Sequence, residues 1–327
     1  MKARAGGLTA AMALLLVLAV LLSLALGDAL LPLRELLPAL AGRGDALART
    51  VLWDIRLPRT LVGLAVGAAL GASGTVMQAY FRNPLASPGL LGVSSGGALG
   101  AVAVLALGLG HLGLFALPVA SIAGAFLATG AVMLLARKGA SVEHLLLAGV
   151  ALNALFGAAT SFLVTVSATD AHASARVIFW LMGGIEHRTW EHVAMALPGI
   201  LVGCALLLPL GRAMNLLALG EDGAQSLGVD VRRLRLRLVV LSTVLTALAT
   251  AVAGVVGFVG LGVPHLVRLD LGPDHRRLLP LSMLGGAAMV LLCDLPTRFL
   301  GVGMRLGVVT ALVGGPFLLG LLRRRPC

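Results

Sequence analysis

Long apolar stretches, separated by short polar segments, run along the whole chain. An α-helix needs about 17 to 25 predominantly apolar residues to cross a bilayer. Such stretches lie at 8–27, 57–81, 92–108, 112–136, 142–166, 191–210, 235–256, 276–297 and 305–322. A shorter apolar stretch lies at 258–270. The pattern therefore predicts about ten transmembrane helices, of which the short one need not cross fully.

The composition supports a membrane protein built from helices. Of the 327 residues, 59% are apolar and only 12% are charged, whereas soluble domains carry roughly 25% charged residues. Glycine is abundant, with 43 residues, but there are only one Tyr, three Trp and nine Phe. This balance suits closely packed helices and not a β-barrel with aromatic girdles. We predict an all-α, polytopic membrane protein.

Glycines in the second apolar stretch recur with helical spacing. Gly63, Gly67 and Gly71 are four residues apart, and Gly74 follows three residues later. Glycines at this spacing lie on one helix face and allow another backbone to approach closely. The pattern predicts tight helix packing and does not by itself indicate a function.

The cysteines and the net charge exclude several other classes. Cys204, Cys293 and Cys327 are isolated, so neither a disulfide framework nor a zinc site is expected. The net charge is +11, but the basic residues are scattered among apolar stretches and are not gathered with aromatic side chains on a polar face. We therefore expect no nucleic-acid partner.

The distribution of basic residues predicts the orientation. The first stretch follows Lys2 and Arg4 like a signal peptide, but its apolar length and the lack of an Ala-x-Ala site before Asp28 favour retention as the first helix. With ten helices and a cytoplasmic N-terminus, most of the 25 basic residues and almost the whole net charge fall on the cytoplasmic side. The positive-inside rule therefore places both termini in the cytoplasm.

The chain offers no energy source of its own. Its two lysines, Lys2 and Lys138, do not follow a glycine, so a Walker A loop is absent. The longest polar connections, 28–56, 167–190 and 211–234, are too short for a separate domain, and residues 1–327 form one membrane domain. An ion-coupled secondary transporter and an integral membrane enzyme remain alternatives, although ionisable side chains are scarce within the apolar stretches.

Specific motifs follow the second apolar stretch. The segment reads Gln78-Ala-Tyr-Phe-Arg-Asn-Pro-Leu-Ala-Ser-Pro-Gly-Leu-Leu-Gly92 and continues Val-Ser-Ser-Gly-Gly-Ala98. Its prolines and glycines end one helix and turn the chain before the next. Together with Arg56-Leu-Pro-Arg59, this run closely resembles the permease subunits of the FecCD type, found in bacterial ABC importers for ferric siderophores, heme and cobalamin.

Further blocks that resemble this family follow in the family's order. They are Leu147-Ala-Gly-Val-Ala-Leu-Asn153, Phe179-Trp-Leu-Met-Gly183, Leu219-Gly-Glu-Asp-Gly-Ala-Gln-Ser-Leu-Gly228, Gly257-Phe-Val-Gly-Leu-Gly-Val-Pro-His-Leu-Val-Arg268, Asp274-His-Arg-Arg-Leu-Leu-Pro280 and Gly307-Val-Val-Thr-Ala-Leu-Val-Gly-Gly-Pro-Phe317. One departure is Gly303-Met-Arg-Leu306, which stands where the family usually has Glu-Leu-Pro and brings the opposite charge through Arg305.

The resemblance implies a type II ABC importer architecture. Two copies of a ten-helix subunit would form a homodimer in the bacterial inner membrane, with the translocation path between them. Two ATPase subunits, which bind ATP and Mg, would dock inside, and a periplasmic substrate-binding protein would dock outside. This chain would be a permease without enzymatic activity and without a cofactor, and it would move heme, a ferric siderophore or cobalamin, with heme preferred.

The resemblance also assigns roles to three groups of residues. The inner connection 211–234 would couple to the ATPase, although a solvated loop touching anionic lipid is the alternative. Its coupling residues are Glu221, Asp222, Ala224, Gln225, Leu227 and Gly228. The arginines expected to dock the binding protein are Arg56, Arg59 and Arg298, with interfacial lipid anchors as the alternative. The residues expected to line the path are Gly149, Asn153, Gly157, Thr160 and Arg176, although polar residues there could equally hydrogen-bond a neighbouring helix.

Histidines and arginines cluster in the segments predicted to lie near the outer mouth. They are His172, Arg176, His187, Arg188 and His192. Imidazole is a possible axial ligand of heme iron, and arginine can bind propionate groups. A solvated loop is an equally good explanation for each residue, so heme is a preference among the three substrates.

Overall fold

The chain folds into a bundle of α-helices. The structure is a computed structural model, and it describes residues 2–27, 33–43, 45–135, 142–167, 171–299 and 303–323. Within these ranges the regular secondary structure is helical throughout, without strands. This confirms the all-α prediction for the described residues.

Fifteen α-helices occur within the described ranges. In chain order they are α1 Lys2–Ala25, α2 Leu33–Leu40, α3 Ala46–Thr50, α4 Leu57–Tyr80, α5 Val93–Ala106, α6 Ala116–Leu135, α7 Val142–Ser167, α8 Ala171–Leu181, α9 Trp190–Leu207, α10 Gly211–Leu217, α11 Glu221–Ser226, α12 Val231–Ala253, α13 Val259–Leu271, α14 His275–Phe299 and α15 Leu306–Arg323. A π-helical segment, Val51–Arg56, makes α3 continuous with α4.

The long helices begin and end close to the residues predicted from the apolar pattern. Among the described residues, seven helices are long and apolar enough to span a membrane. The other predicted spans correspond to α5, α15 and α13, which are shorter or less apolar. The count of ten crossings therefore stays a prediction. The pattern missed α2, α3, α8 and α10, because these helices lie within the polar connections 28–56, 167–190 and 211–234.

Helix α4 lies at the centre of the bundle. It packs against α9, α12, α13 and α14. Its glycine face lies very close to α14, because a Cβ atom at Gly67 or Gly71 would overlap the backbone of Gly286 or Ser282 in α14. The glycine spacing therefore has the packing role that the sequence predicted.

Contacts between helix ends define two ends of the bundle. At one, which we call the Asp294 end, Arg59 at the start of α4 meets Asp294 near the end of α14. At the other, the Glu221 end, Tyr80 at the end of α4 lies near Arg235 at the start of α12. The connection 211–234 is thus at the end opposite to Arg59, as the predicted topology requires.

Helix α13 begins partway along the bundle. A Cβ atom at Gly74 would overlap the carbonyl of Gly260, which places the first turn of α13 beside the second half of α4. Its 13 residues span only about 20 Å at the helical rise of 1.5 Å per residue. The geometry agrees with the expectation that the short apolar stretch 258–270 does not cross fully.

Cysteine labelling tests the two ends experimentally. We expect Arg43→Cys and Arg212→Cys, made in a background without Cys204, Cys293 and Cys327, to react with a membrane-impermeant maleimide from opposite sides of sealed vesicles. Both positions are exposed, so accessibility does not limit the reaction. Labelling of both from the same side would contradict the topology.

Candidate functional site

The connection at the Glu221 end contains two short helices, α10 and α11, and we call α11 with its flanking residues Leu219 and Leu227 the platform. Helices α10 and α11 follow each other, and Gly220, with φ of +104°, makes the turn between them. Two large apolar side chains flank α11 in the open, since Leu219 is 67% exposed and Leu227 is 58% exposed. Exposed apolar side chains with polar neighbours such as Asp222 and Gln225 suit a surface that another protein covers.

Arg235 attaches α11 to the helix bundle. Its Nη2 lies 2.7 Å from Oε1 of Glu221, and its guanidinium carbon lies 5.3 Å from the centre of the Tyr80 ring. Glu221 belongs to α11, Arg235 to α12 and Tyr80 to α4. A displacement of α11 would therefore act directly on the ends of two long helices.

The sequence-predicted coupling residues divide into two sets. Asp222, Gln225, Leu227 and Gly228 are exposed, as a docking surface requires. Ala224 is completely buried, and Glu221 is used in the pair with Arg235. These last two residues hold α11 on the bundle, and the coupling role of all six stays a prediction.

Asp294 forms a buried cluster with two arginines at its own end of the bundle. The Asp294 side chain is 0% exposed, and both of its carboxylate oxygens accept hydrogen bonds. Arg59 donates to Oδ1 from Nη2 at 2.7 Å and to Oδ2 from Nε at 2.9 Å. Arg298 donates to Oδ2 from Nη2 at 2.7 Å and also to the Ser23 carbonyl of α1. One carboxylate thus joins α4 and α14, and Arg298 extends the cluster to α1.

Arg56 is also buried, at 4% exposure. Its Nη1 donates to the carbonyls of Leu24 at 2.7 Å and Ala25 at 2.8 Å. These carbonyls belong to the last turn of α1, where backbone acceptors lack helical partners. Arg56 therefore caps the C-terminus of α1.

All three of the predicted docking arginines are held by contacts within the chain. Their guanidinium groups bind acceptors within the chain and are therefore not displayed to solvent. The three residues are Arg56, Arg59 and Arg298. The sequence could signal the Asp294–Arg298 pair, which has helical i, i+4 spacing. It contained no signal that Arg59 would meet Asp294. Docking of a binding protein at this end stays a prediction.

Three of the residues expected to line a path pack inside the subunit instead. A Cβ atom at Gly149 would overlap the Leu90 carbonyl. The Asn153 amide donates to the Gly89 carbonyl at 3.0 Å, and the Thr160 hydroxyl donates to a carbonyl of its own helix. The contacts of Gly149 and Asn153 fix α7 against the turn before α5, and Asn153 thereby has the alternative use of polar residues considered above, whereas the Thr160 bond is internal to α7.

Gly157 and Arg176 are the two path candidates that are exposed. A Cβ atom at Gly157 would meet no atom within 4 Å. Arg176 lines a cavity of about 460 Å³ at the Asp294 end, which we call the arginine pocket. Its lining includes Arg176, Phe179, Glu186, His187, Arg188 and Arg305.

Arg305, where the sequence departs from the family motif, lines this pocket. Nη1 of Arg305 is 3.0 Å from Oε2 of Glu186, and its guanidinium carbon lies 4.5 Å from the centre of the Phe179 ring. The backbone supports the same corner, since Gly307 donates to the Gly183 carbonyl. Sequence reasoning noted the altered charge at Arg305 but missed its partner Glu186, which is 119 residues away.

The predicted histidine cluster comes together only in part. His187 lines the arginine pocket. Its backbone φ is +55°, an unusual value for a residue other than glycine. His192 instead hydrogen-bonds the Thr189 hydroxyl at the start of α9. The side chain of His172 lies outside the described residues.

Comparisons with known proteins agree with this architecture. The model of the FecCD transport family matches residues 15–324. The cobalamin import system permease protein BtuC of Halobacterium salinarum is 45% identical over 85% of this chain and 74% of its own length. The hemin transport system permease protein HmuU of Yersinia pestis is 44% identical over 84% of each chain.

A solved structure shares the complete fold. It is described as a metal-chelate type ABC transporter in an inward-facing conformation, and it is 35% identical. The match has a TM-score of 0.87 and covers 99% of this chain and 100% of the other. The chain is therefore an ABC importer permease and belongs to the FecCD transport family.

Proposed function

We propose that two copies of this chain form the membrane channel of a heme importer in a bacterial inner membrane. Two ATPase subunits bind the cytoplasmic Glu221 ends and hydrolyse ATP. A periplasmic binding protein delivers the chelate to the Asp294 ends, and both chain termini are cytoplasmic. The platform at α11 is the observation that carries this proposal, because it offers an exposed surface and a direct connection to α4 and α12.

The exposure of α7 supports the homodimer. Only 6% of the apolar stretch of α7 is buried in the single chain. Small residues are exposed along it, including Ala151, Ala154, Gly157 and Ala158. Small residues allow transmembrane helices to approach closely, so this face suits contact with a second copy. A disulfide between copies of Gly157→Cys, in the cysteine-free background, is the expected sign of that contact.

Heme is favoured by the chemistry of the arginine pocket. Heme carries two carboxylates, and the pocket combines three arginines with His187 on the side from which the substrate would arrive. The similarity to the hemin permease of Yersinia pestis supports the same substrate. Cobalamin is the second candidate, because a relative of equal similarity is named for its import. A ferric siderophore is the third.

Reconstitution tests the function. We expect vesicles containing this chain and its ATPase to accumulate heme when the binding protein and ATP are present, and vesicles without the ATPase to accumulate none. Cobalamin and a ferric siderophore, each with its own binding protein, serve as competing substrates. ATP-independent uptake driven by a proton or sodium gradient would overturn the importer assignment in favour of a secondary transporter.

A negative charge on the platform should weaken the contact between the permease and the ATPase. We expect Leu227→Glu to weaken ATPase binding by about tenfold or more, because a side chain that is exposed here would become buried in the complex as a carboxylate. Co-purification and ATP-driven uptake measure the effect. Leu112→Glu is the matched control. Leu112 is the same residue type, is 67% exposed and lies after the C-terminal end of α5, away from the platform. Equal ATPase binding by both variants would remove α11 from the interface.

A further inference from the structure

The arginine pocket has an excess of positive charge. Arg176, Arg188 and Arg305 line it, and Glu186 is the one carboxylate among its described lining residues. A single carboxylate cannot neutralise three guanidinium groups. The pocket therefore has the charge of a site that receives further anions.

Arg305 uses only part of its hydrogen-bonding capacity. Its Nη1 contacts Glu186 at 3.0 Å, whereas its Nε is buried without a hydrogen-bond partner among the described residues. A guanidinium group can hold a carboxylate through two parallel hydrogen bonds. The single contact with Glu186 thus leaves other N–H groups of the Arg305 guanidinium available to a better-aligned carboxylate.

Arg188 is also poorly satisfied. Its Nη2 lies 3.5 Å from the Gly184 carbonyl, at the outer limit of a hydrogen bond, and its Nε is buried without a partner in the described structure. Burial lowers the pKa of Arg188, and the nearby Arg305 acts in the same direction, while Glu186 opposes them. Buried donors without acceptors are unfavourable, so an anion in the pocket would relieve both arginines.

We propose that the arginine pocket is a carboxylate-exchange site. Glu186 occupies Arg305 while the pocket is empty, and a carboxylate of the arriving chelate displaces it. The incoming group accepts hydrogen bonds from Arg305 and Arg188, so the number of charged contacts does not fall when Glu186 leaves.

The exchange also has a mechanical consequence. Glu186 lies in the connection between α8 and α9, and Arg305 immediately precedes α15. Their ion pair ties these elements together at the Asp294 end. Displacement of Glu186 would release the side-chain tie while the backbone contact between Gly183 and Gly307 remains. Arrival of the chelate is thereby communicated to α15.

This inference rests on the proposed importer function and specifies its substrate class. The site selects chelates with free carboxylates, a class that includes heme. An acidic side chain of the binding protein offers the same chemistry, so an experiment must separate these two sources.

Binding of a metal-free porphyrin tests the exchange without any contribution from iron ligation. Mesoporphyrin and its dimethyl ester have the same ring, but only the former has carboxylates. Their fluorescence anisotropy can be followed with the complete transporter in nanodiscs, without the binding protein. Arg305→Gln and Glu186→Gln are the test variants, with Glu191→Gln as the matched control because Glu191 is exposed and does not line the pocket.

We expect mesoporphyrin to bind the unmodified transporter and its ester to bind at least about tenfold more weakly, the effect of losing a hydrogen bond to a charged group. Arg305→Gln should weaken mesoporphyrin binding by a similar factor. Glu186→Gln should strengthen it, because the internal competitor has lost its charge. Glu191→Gln should have no effect. The double variant Glu186→Gln/Arg305→Gln removes the pair without leaving one charge behind, and it should bind as weakly as Arg305→Gln.

Each of three results would overturn the exchange site. One is equal binding of the diacid and the ester, and another is a Glu186→Gln variant that binds mesoporphyrin no more tightly than Glu191→Gln. Weaker docking of the binding protein to Arg305→Gln, with porphyrin binding unchanged, would assign the carboxylate to the protein and also reject the proposal. Heme uptake by the unmodified transporter is measured separately, so failure of the exchange site is distinguishable from failure of the heme assignment.

Discussion

Asp294→Asn is expected to destabilise the subunit by about 3 to 5 kcal/mol, the usual effect of breaking a buried ion pair by removing one partner. The substitution keeps the size of the side chain but leaves Arg59 and Arg298 together without their shared carboxylate. Both arginines donate to Asp294 at 2.7 Å. The apparent midpoint of thermal unfolding in detergent, measured at a fixed heating rate, should fall accordingly.

Two further variants identify the cause of that loss. Asp54→Asn makes the same chemical change at an exposed position and should leave the midpoint unchanged. Asp294→Asn/Arg298→Met removes one of the uncompensated charges and should recover part of the stability, because Arg59 is 12% exposed and can reach water. Unchanged stability of Asp294→Asn would show that the cluster contributes little to the fold.

The fold was largely predictable from the sequence because one physical requirement governs most of the chain. Each crossing must be long and apolar, so helix positions follow directly from hydropathy. The shorter α5 and α15 were also found, since their apolar runs are bounded by glycine or charge. Helix α8 was missed because its apolar residues alternate with His172, Ser174 and Arg176 in a segment too polar to cross.

The candidate site was predictable only where function requires exposure. Leu227 and Asp222 are exposed on α11, as expected from the matching motif. Asn153 and Arg59 have the residue types expected of a path or a docking surface, but each is engaged inside the subunit. Their partners lie on distant parts of the chain, and single-sequence patterns carry no information about such pairs. Residue type and motif position therefore pointed to a role for each residue but could not predict its contacts within the subunit.

Gly71→Ala is expected to destabilise the contact between α4 and α14 strongly, although it adds only one methyl group. A Cβ atom at position 71 would overlap the Ser282 carbonyl of α14, and backbone atoms cannot move aside as a side chain can. Overpacking of a core usually costs about 1 to 3 kcal/mol, and separation of α4 from α14 would also strain the Arg59–Asp294 contact farther along the same pair of helices. We expect a loss at or above the top of that range, seen as a large drop in folded protein after detergent extraction.

Gly130→Ala provides the matched control for this effect. Gly130 is also in a long transmembrane helix, α6, but a Cβ atom there would meet no atom within 4 Å. Alanine is favoured over glycine in a helix by about 1 kcal/mol, so this variant should be as stable as the unmodified protein or more so. The same intrinsic preference acts at position 71, where it opposes the overlap. If Gly71→Ala and Gly130→Ala showed equal stability, close backbone contact between α4 and α14 could not be what the glycine spacing encodes.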